Sequence, residues 1–461
     1  MMPIDWGAVK AEIERLEGRW TDALLDFCAI ESEAGRPNEL ERAAAMTADF
    51  LQRVGATTRT IRNGDAPPLV VGEIGPADGP VLNAVQHYDV QPVGDLALWT
   101  TPPYEPEVRD GRVFARGATD NKGELVVRLW ALDALAGAGV DLPCRIRFLV
   151  EGEEESGSPH LDELLDTDDD LRRARHTLGE GGGVDEQGRP IVDCGVRGIV
   201  MLELSVRTLS KEVHSGAATI FPNAAARMVA ALSTLVGPDG EPAWAGLETG
   251  RLPLTDAARA AARALPLEWL DDYREEFGIR AFVGGLDGPD VFEADLGNPT
   301  FNIQGLWSGE TGPSARNIVP AEATARIDAR LVPDQDPDAI QQALRAHLDA
   351  RGFEDVEVRP IESTARAYWS DLADPFVDAV AEAVEAAFEA PAVRVVSSPG
   401  TAPMYQVCAT HQVPMAFIGA ADLRNNAHAP DESFSMATGS RAALAFLRLL
   451  DNISDLPRRD A

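Results

Sequence analysis

The chain has 461 residues, 45% of them hydrophobic and 25% charged, the balance of an ordinary globular protein, and it is long enough that two domains are expected. Its formal net charge of −34 repels polyanions, which excludes nucleic acid and anionic membrane surfaces as partners. No run reaches the ~18–20 apolar residues of a membrane span, and Cys28, Cys144, Cys194 and Cys408 stand apart with no C-x-x-C pair, the pattern of reduced thiols in a cytoplasmic protein.

From Ile4 to Phe27 the apolar residues Val9, Ile13, Leu16, Trp20 and Leu24 recur at helical spacing, which predicts an acidic amphipathic helix and not a signal peptide. A second helix is expected from Asn38 to Val54, ended by Gly55. Short β-like runs follow at Thr57–Ile61, Leu69–Ile74 and Val81–Gln86. Next come a helix from Lys122 to Gly137, a strand at Cys144–Val150, a helix near Ser158–Leu165, and strands at Arg175–Leu178 and Pro190–Cys194. This alternation predicts an α/β layered domain. The texture changes at Gly195–Gly198. Strands at Ile199–Thr208, Thr300–Gln304, Glu322–Leu331 and Val356–Val358 alternate with helices at Asn223–Leu235 and Pro337–Arg351, and further helices are expected near Asp256–Arg263 and Glu268–Glu276. A β-α-β-β-α-β order runs through them, so a small sandwich with helices on one face is expected. From Pro375 to Leu450 the patterns of the first domain resume.

The chemistry gathers just beyond the strand-like segments. Ile146–Val150 runs into Glu151-Gly152-Glu153-Glu154-Glu155, carboxylates that repel unless they are solvated or neutralised by a cation. If its strand continues, His87-Tyr88-Asp89 puts an imidazole and a carboxylate on one side. Asp120, before the Lys122 helix, reads equally as an N-cap or as a ligand held by a turn. Glu180 lies in Leu178-Gly179-Glu180-Gly181, and His428 in Asn425–Glu432. Two imidazoles with several carboxylates suit zinc, cobalt or manganese, and the thiols are too few for a structural zinc site. Phosphate-loop, H-E-x-x-H and G-x-S-x-G motifs are absent from the sequence.

In this order the stretches resemble the zinc peptidases of the M20 family over nearly the whole chain. That family includes carnosinase-like dipeptidases, aminoacylases, carboxypeptidase G and succinyl-diaminopimelate desuccinylase. The dipeptidase branch is the nearest in likeness, through Glu151–Ser158, His214-Ser215-Gly216 and Arg330-Leu331-Val332-Pro333. The resemblance implies a mixed-sheet catalytic domain with helices on both faces, from residues 1–196 and 366–461. Residues 197–365 would form an inserted ferredoxin-like α+β sandwich, serving as a lid and as a homodimer contact. It further implies His87, Asp120 and Glu180 as ligands of one divalent metal and Glu155, Asp120 and His428 as ligands of a second, with zinc first in line and a cis peptide after Asp120. Asp89 would orient His87, Glu154 would be the general base, and His214 would reach across the dimer to the oxyanion. Arg330, Asn317 and Thr401 would contact the substrate, the first two from the stretches Ser314–Pro320 and Arg326–Arg330.

The activity so implied is hydrolysis of an amide beside a free carboxylate, in dipeptides first and in N-acyl amino acids as the alternative. A non-catalytic metal-binding protein is the remaining class, and retention of Glu154 argues against it. One departure stands out. Dipeptidases of the nearest branch place an Asp after a Ser where this chain has Glu180, whereas acylase-like members carry Asp-Glu-Gly; Gly179-Glu180-Gly181 keeps the glutamate and loses the Asp.

Overall fold

The computed structural model describes residues 4–454 and 456, apart from 239, 311, 313–315, 362 and 363. Two compact units result. The first comprises Met1–Gly195, Trp369–Ser398 and Ala402–Ala461, and the second comprises Val196–Tyr368 with Pro399–Thr401.

In the first unit the helix Trp6–Cys28 opens on Asp5, whose carboxylate accepts the Gly7 and Ala8 N–H groups at 3.0 and 3.1 Å. Val9, Ile13, Leu16, Trp20 and Leu24 are all buried along one stripe, as their spacing predicts. The helix Lys122–Gly137 is buried on nearly every side, and it packs with Trp6–Cys28 and Met436–Ser454. Six strands make the main sheet, in the order Thr57–Ile61, Leu69–Ile74, Arg145–Glu151, Val81–His87, His176–Gly179, Met415–Phe417. Leu69–Ile74 runs antiparallel to both of its neighbours and the last four strands run parallel, so the sheet is mixed. The parallel strands Arg145–Glu151 and Val81–His87 finish level, with His87 opposite Glu151. Their carboxyl ends therefore lie side by side, at the edge where such sheets usually place a site.

Two small sheets include short strands that were not evident from periodicity, although Pro190–Asp193 was expected as a strand over Pro190–Cys194. One pairs Ser433–Ser435 with Arg112–Phe114, which in turn pairs with Glu107–Arg109. The other joins Val393–Val395, Pro190–Asp193 and Gly183–Val184. Three-residue strands carry no period to read.

The second unit is an antiparallel four-stranded sheet in the order Asn302–Ser308, Glu322–Leu331, Gly198–Arg207, Glu357–Pro360. Helices Ala224–Leu232 and Pro337–Asp349 pack on it. This strand order, with its two helices, is the ferredoxin-like α+β sandwich. Alternation along Gly198–Arg207 turns Val200, Leu202, Leu204 and Val206 into a core with Ala323, Ala325, Ile327 and Ala329. An unanticipated helix at Pro289–Gly297 has only Phe292 and Leu296 as large buried residues, too few to show a period. The helix expected from Ser158 shrinks to Leu161–Leu165.

Candidate metal centre

His87 closes its strand, and among the described residues its ladder goes no further, so Asp89 does not reach it by strand alternation. The chain turns instead, and Tyr88 N–H still bonds Glu151 O at 2.9 Å. Asp89 then folds back on the imidazole, with its backbone O 3.0 Å and its Oδ1 3.2 Å from His87 Nδ1. Both groups are fully buried. Holding Nδ1 in this way leaves Nε2 facing outward. The same Asp89 carboxylate accepts the N–H groups of Glu154 and Glu155 at 3.3 and 3.1 Å, so one side chain aims three neighbours.

Glu154 and Glu155 begin a single tight turn, Glu154–Ser156, closed by Gly157 in the left-handed region. Gly152, just before it, faces the Tyr88 ring, and a Cβ there would lie 2.4 Å from the ring carbons. Glu155 receives the Gln91 backbone N–H at 3.1 Å and its side-chain amide at 2.8 Å. Glu151 is buried and hydrogen-bonded by Ser158 Oγ at 2.8 Å, and Glu153 meets His160 Nδ1 at 2.8 Å. The acidic strand end is thus not a solvated loop.

Asp120 is not the cap of its helix; Asn121 occupies that place and makes no side-chain cap bond. The Asp120–Asn121 peptide is cis. Each Asp120 oxygen meets a different imidazole: Oδ1 lies 3.0 Å from His87 Nε2 and Oδ2 lies 3.0 Å from His428 Nε2. Glu180 Oε2 sits 3.5 Å from His87 Nε2, and Glu155 Oε2 sits 3.3 Å from His428 Nε2. His87, Asp120, Glu154, Glu155, Glu180 and His428 are therefore brought together. Donor atoms of His87, Asp120 and Glu155 fall within 4.8 Å of one another, as do those of His87, Glu154 and Glu180.

The electrostatics are those of a site short of positive charge. Burial, reinforced by Glu180 and the other acids, holds the Glu154 carboxyl well above the carboxylate range. Burial also pushes Glu180 up to about 8. Hydrogen bonds to Asp120 and Glu155 raise His428 to about 10. Burial would lower His87, but Glu180, Asp120 and Asp89 outweigh it and hold the imidazolium well above its usual range. Asp120 itself is pulled low against the cost of burial, because both imidazoles donate to it. Glu180 Oε2 is buried and, among the described residues, accepts no hydrogen bond, with His87 Nε2 standing off at 3.5 Å, an arrangement that a bound cation would relieve. Two imidazoles, with carboxylates from two strand ends and from the turn before the Lys122 helix, fit divalent cations well.

The second unit holds the other expected residues in two groups. Val213–His214 pairs with Ile318–Val319, and Ser215 N–H bonds Asn317 O at 2.9 Å, so His214 and Asn317 are neighbours, both exposed. Ser314 and Ala315 lie outside the described residues. Arg330 Nη1 donates to Thr401 Oγ1 at 2.7 Å, and among the described residues no carboxylate pairs with this guanidinium. Sequence reasoning passed over Gln91 and Glu432. Glu432 falls in the quoted Asn425–Glu432 stretch without a role, and Gln91 follows Asp89 by two residues with no signal of its own.

Residues 85–452 match the peptidase family M20/M25/M40. The chain belongs to this family. Beta-Ala-His dipeptidase of Homo sapiens is 29% identical over 366 residues, covering 73% of this chain and 70% of that protein. Cysteinylglycine-S-conjugate dipeptidase of Corynebacterium striatum is 27% identical over 421 residues, 88% of each chain. The crystal structure of an M20 family metallo-carboxypeptidase, Sso-CP2 from Sulfolobus solfataricus, matches with a TM-score of 0.87 at 28% identity, covering 95% of this chain and 99% of that one. This M20 peptidase is therefore a hydrolytic, metal-dependent enzyme. Among its described residues no helix is long and apolar enough to cross a membrane.

Proposed function

We propose that this peptidase hydrolyses the amide bond beside a free C-terminal carboxylate, in dipeptides first. One observation carries the reading: the two oxygens of Asp120 face two different imidazoles, each with a further carboxylate beside it. That is the donor arrangement of two cations sharing one carboxylate. His87, Asp120 and Glu180 would hold one, and Asp120, Glu155 and His428 the other, with zinc first and cobalt or manganese also suited. Bound there, the ions would lower the pKa of water and polarise the scissile carbonyl.

The protein's own groups do the rest. Asp89 fixes the His87 tautomer through Nδ1. Glu154, held high by burial and neighbouring acids, accepts the proton of the attacking water on its carboxylate and returns it to the departing nitrogen. Arg330, which has no acid partner among the described residues, supplies the fork for the substrate carboxylate, with Thr401 and Asn317 supporting. His214, exposed and next to Asn317, serves the oxyanion of a neighbouring protomer in a homodimer. Four free, buried cysteines support a reducing, cytoplasmic setting. The names of the two curated relatives, each a dipeptidase, support the choice of substrate.

A second reading, N-acyl amino acids, is favoured by the glutamate at 180. The test is a panel of dipeptides, C-terminally amidated dipeptides and N-acyl amino acids, given to enzyme reconstituted with each metal. Free dipeptides should be the best substrates and their amides poor ones. Preference for N-acyl amino acids would select the second reading, and equal turnover of amidated dipeptides would contradict the carboxylate requirement.

A further inference from the structure

Four residues after His428, Glu432 is completely buried and reaches under the turn that carries Asp120. Its Oε1 accepts the backbone N–H of Thr119 at 2.9 Å and of Asp120 at 3.0 Å. Its Oε2 accepts the backbone N–H of Gly117 at 2.9 Å and Arg116 Nη1 at 2.7 Å. Four donors occupy the strong acceptor positions of a carboxylate, so Glu432 cannot itself face a cation. Arg116, equally buried, compensates its charge. The contacts are to backbone along 117–120, so they fix where the Asp120 peptide stands and not merely one side chain.

The seam extends on both sides. Ala115 N–H bonds Glu432 O at 3.1 Å, Thr119 Oγ1 donates to Ser433 O at 2.7 Å, and Ser433–Ser435 pairs with Arg112–Phe114. Arg112 grips Asp422 with both Nη atoms, at 2.6 and 2.9 Å. The segment bearing His428 is thereby clipped at Asp422 and again at Glu432, both times to the segment bearing Asp120. Between the clips, Asn426, His428 and Asp431 hold positive φ values of 51°, 63° and 57°. Non-glycine residues in that region keep their conformation only where the surroundings impose it.

We infer that Glu432 is a positioning residue of the metal centre: its buried carboxylate locks the Asp120 turn to the His428 loop and so sets the separation of two ligands that come from distant parts of the chain. The inference rests on the two-metal reading given above. It gives Glu432 no contact with substrate or metal; the residue acts through Asp120 and His428.

Glu432→Gln tests it, because the amide keeps the volume but turns an NH2 group toward backbone N–H donors and leaves Arg116 unpaired. Metal affinity is measured by competition with a chromophoric chelator, on protein shown to be folded by circular dichroism. At least one equivalent should bind 10–100-fold more weakly than in wild type. The lost kcat should return at high metal concentration with KM unchanged. Glu432→Asp, which keeps the charge, should retain part of the affinity. A purely structural Glu432 would lower the unfolding temperature and leave metal affinity at the wild-type value, and that result overturns the inference. If Glu432→Gln does not fold, Thr119→Val, a milder lesion in the same seam, is read the same way; a several-fold loss supports the lock and wild-type affinity overturns it. Wild-type protein that binds no metal would instead overturn the reading on which the inference rests.

Discussion

Individual side chains in the centre rarely serve one neighbour. Asp89 alone touches His87 and the backbones of Glu154 and Glu155. The side chains that come together at the candidate centre were legible in the sequence, because imidazoles and carboxylates beyond strand ends are few and their order follows a known family. The supporting residues were not. Gln91 and Glu432 act by hydrogen-bonding partners distant in sequence, and nothing in a one-dimensional pattern marks such a partner. Arg330 gives the prediction at this scale. A charge-assisted hydrogen bond is worth about 1.5–3 kcal/mol, so Arg330→Ala should lower kcat/KM for free dipeptides by about 10–150-fold. It should leave the slow hydrolysis of amidated dipeptides nearly unchanged, as steady-state kinetics on the two substrates would show.

Among the elements, those with a long apolar period were readable to within a few residues, as with Trp6–Cys28 and Lys122–Gly137. The helix Pro289–Gly297 and the three-residue strands near Arg112 and Ser433 were not, since each owes its form to packing and not to pattern. Glycines separate the two kinds of constraint. Gly18, inside the helix Trp6–Cys28, has open space where a Cβ would go. Gly18→Ala should stabilise the protein by about 1 kcal/mol in urea unfolding, through helix propensity alone. Gly152→Ala would drive a methyl group into the Tyr88 ring, which is itself tied to Pro68 O at 2.6 Å. It should cost about 1–3 kcal/mol by overpacking and depress activity too, because Glu154 lies two residues on. Equal effects of the two substitutions would contradict this reading of the turn.

For the whole molecule, the β-α-β-β-α-β sandwich could be drawn from the sequence because its two central strands are long and alternate. Placement of Pro399–Thr401 with the second unit could not, since it follows from Arg330 and Arg197 reaching those residues from afar. The molecular consequence of the centre is a dependence on metal and pH. In the metal-free protein His428 holds its proton up to about 10 and Glu180 up to about 8, both above their ordinary values. Cations held by these two groups would displace those protons, so binding at pH 7 should release them, and affinity should rise as pH is raised from 7 toward 10. Calorimetry in buffers of different ionisation enthalpy counts the protons. For folding the sign is the same for both groups. The His428 contribution is complete below its ordinary imidazole value and lost as pH rises through about 10, while Glu180 must ionise against burial as pH rises through about 8. Chelated protein should therefore unfold more easily at pH 9 than at pH 6, and the loaded protein should resist that decline.

In the proposed mechanism Glu154 moves the proton in an amide hydrolysis supported by two bound metals. This role is tested most directly by comparing wild type with Glu154→Gln on the best dipeptide, with metal content measured on the same samples. Both proteins should hold two equivalents of metal, and kcat should be lowered by about 10²–10⁴-fold in the variant. Wild-type turnover in a fully loaded Glu154→Gln protein would contradict it.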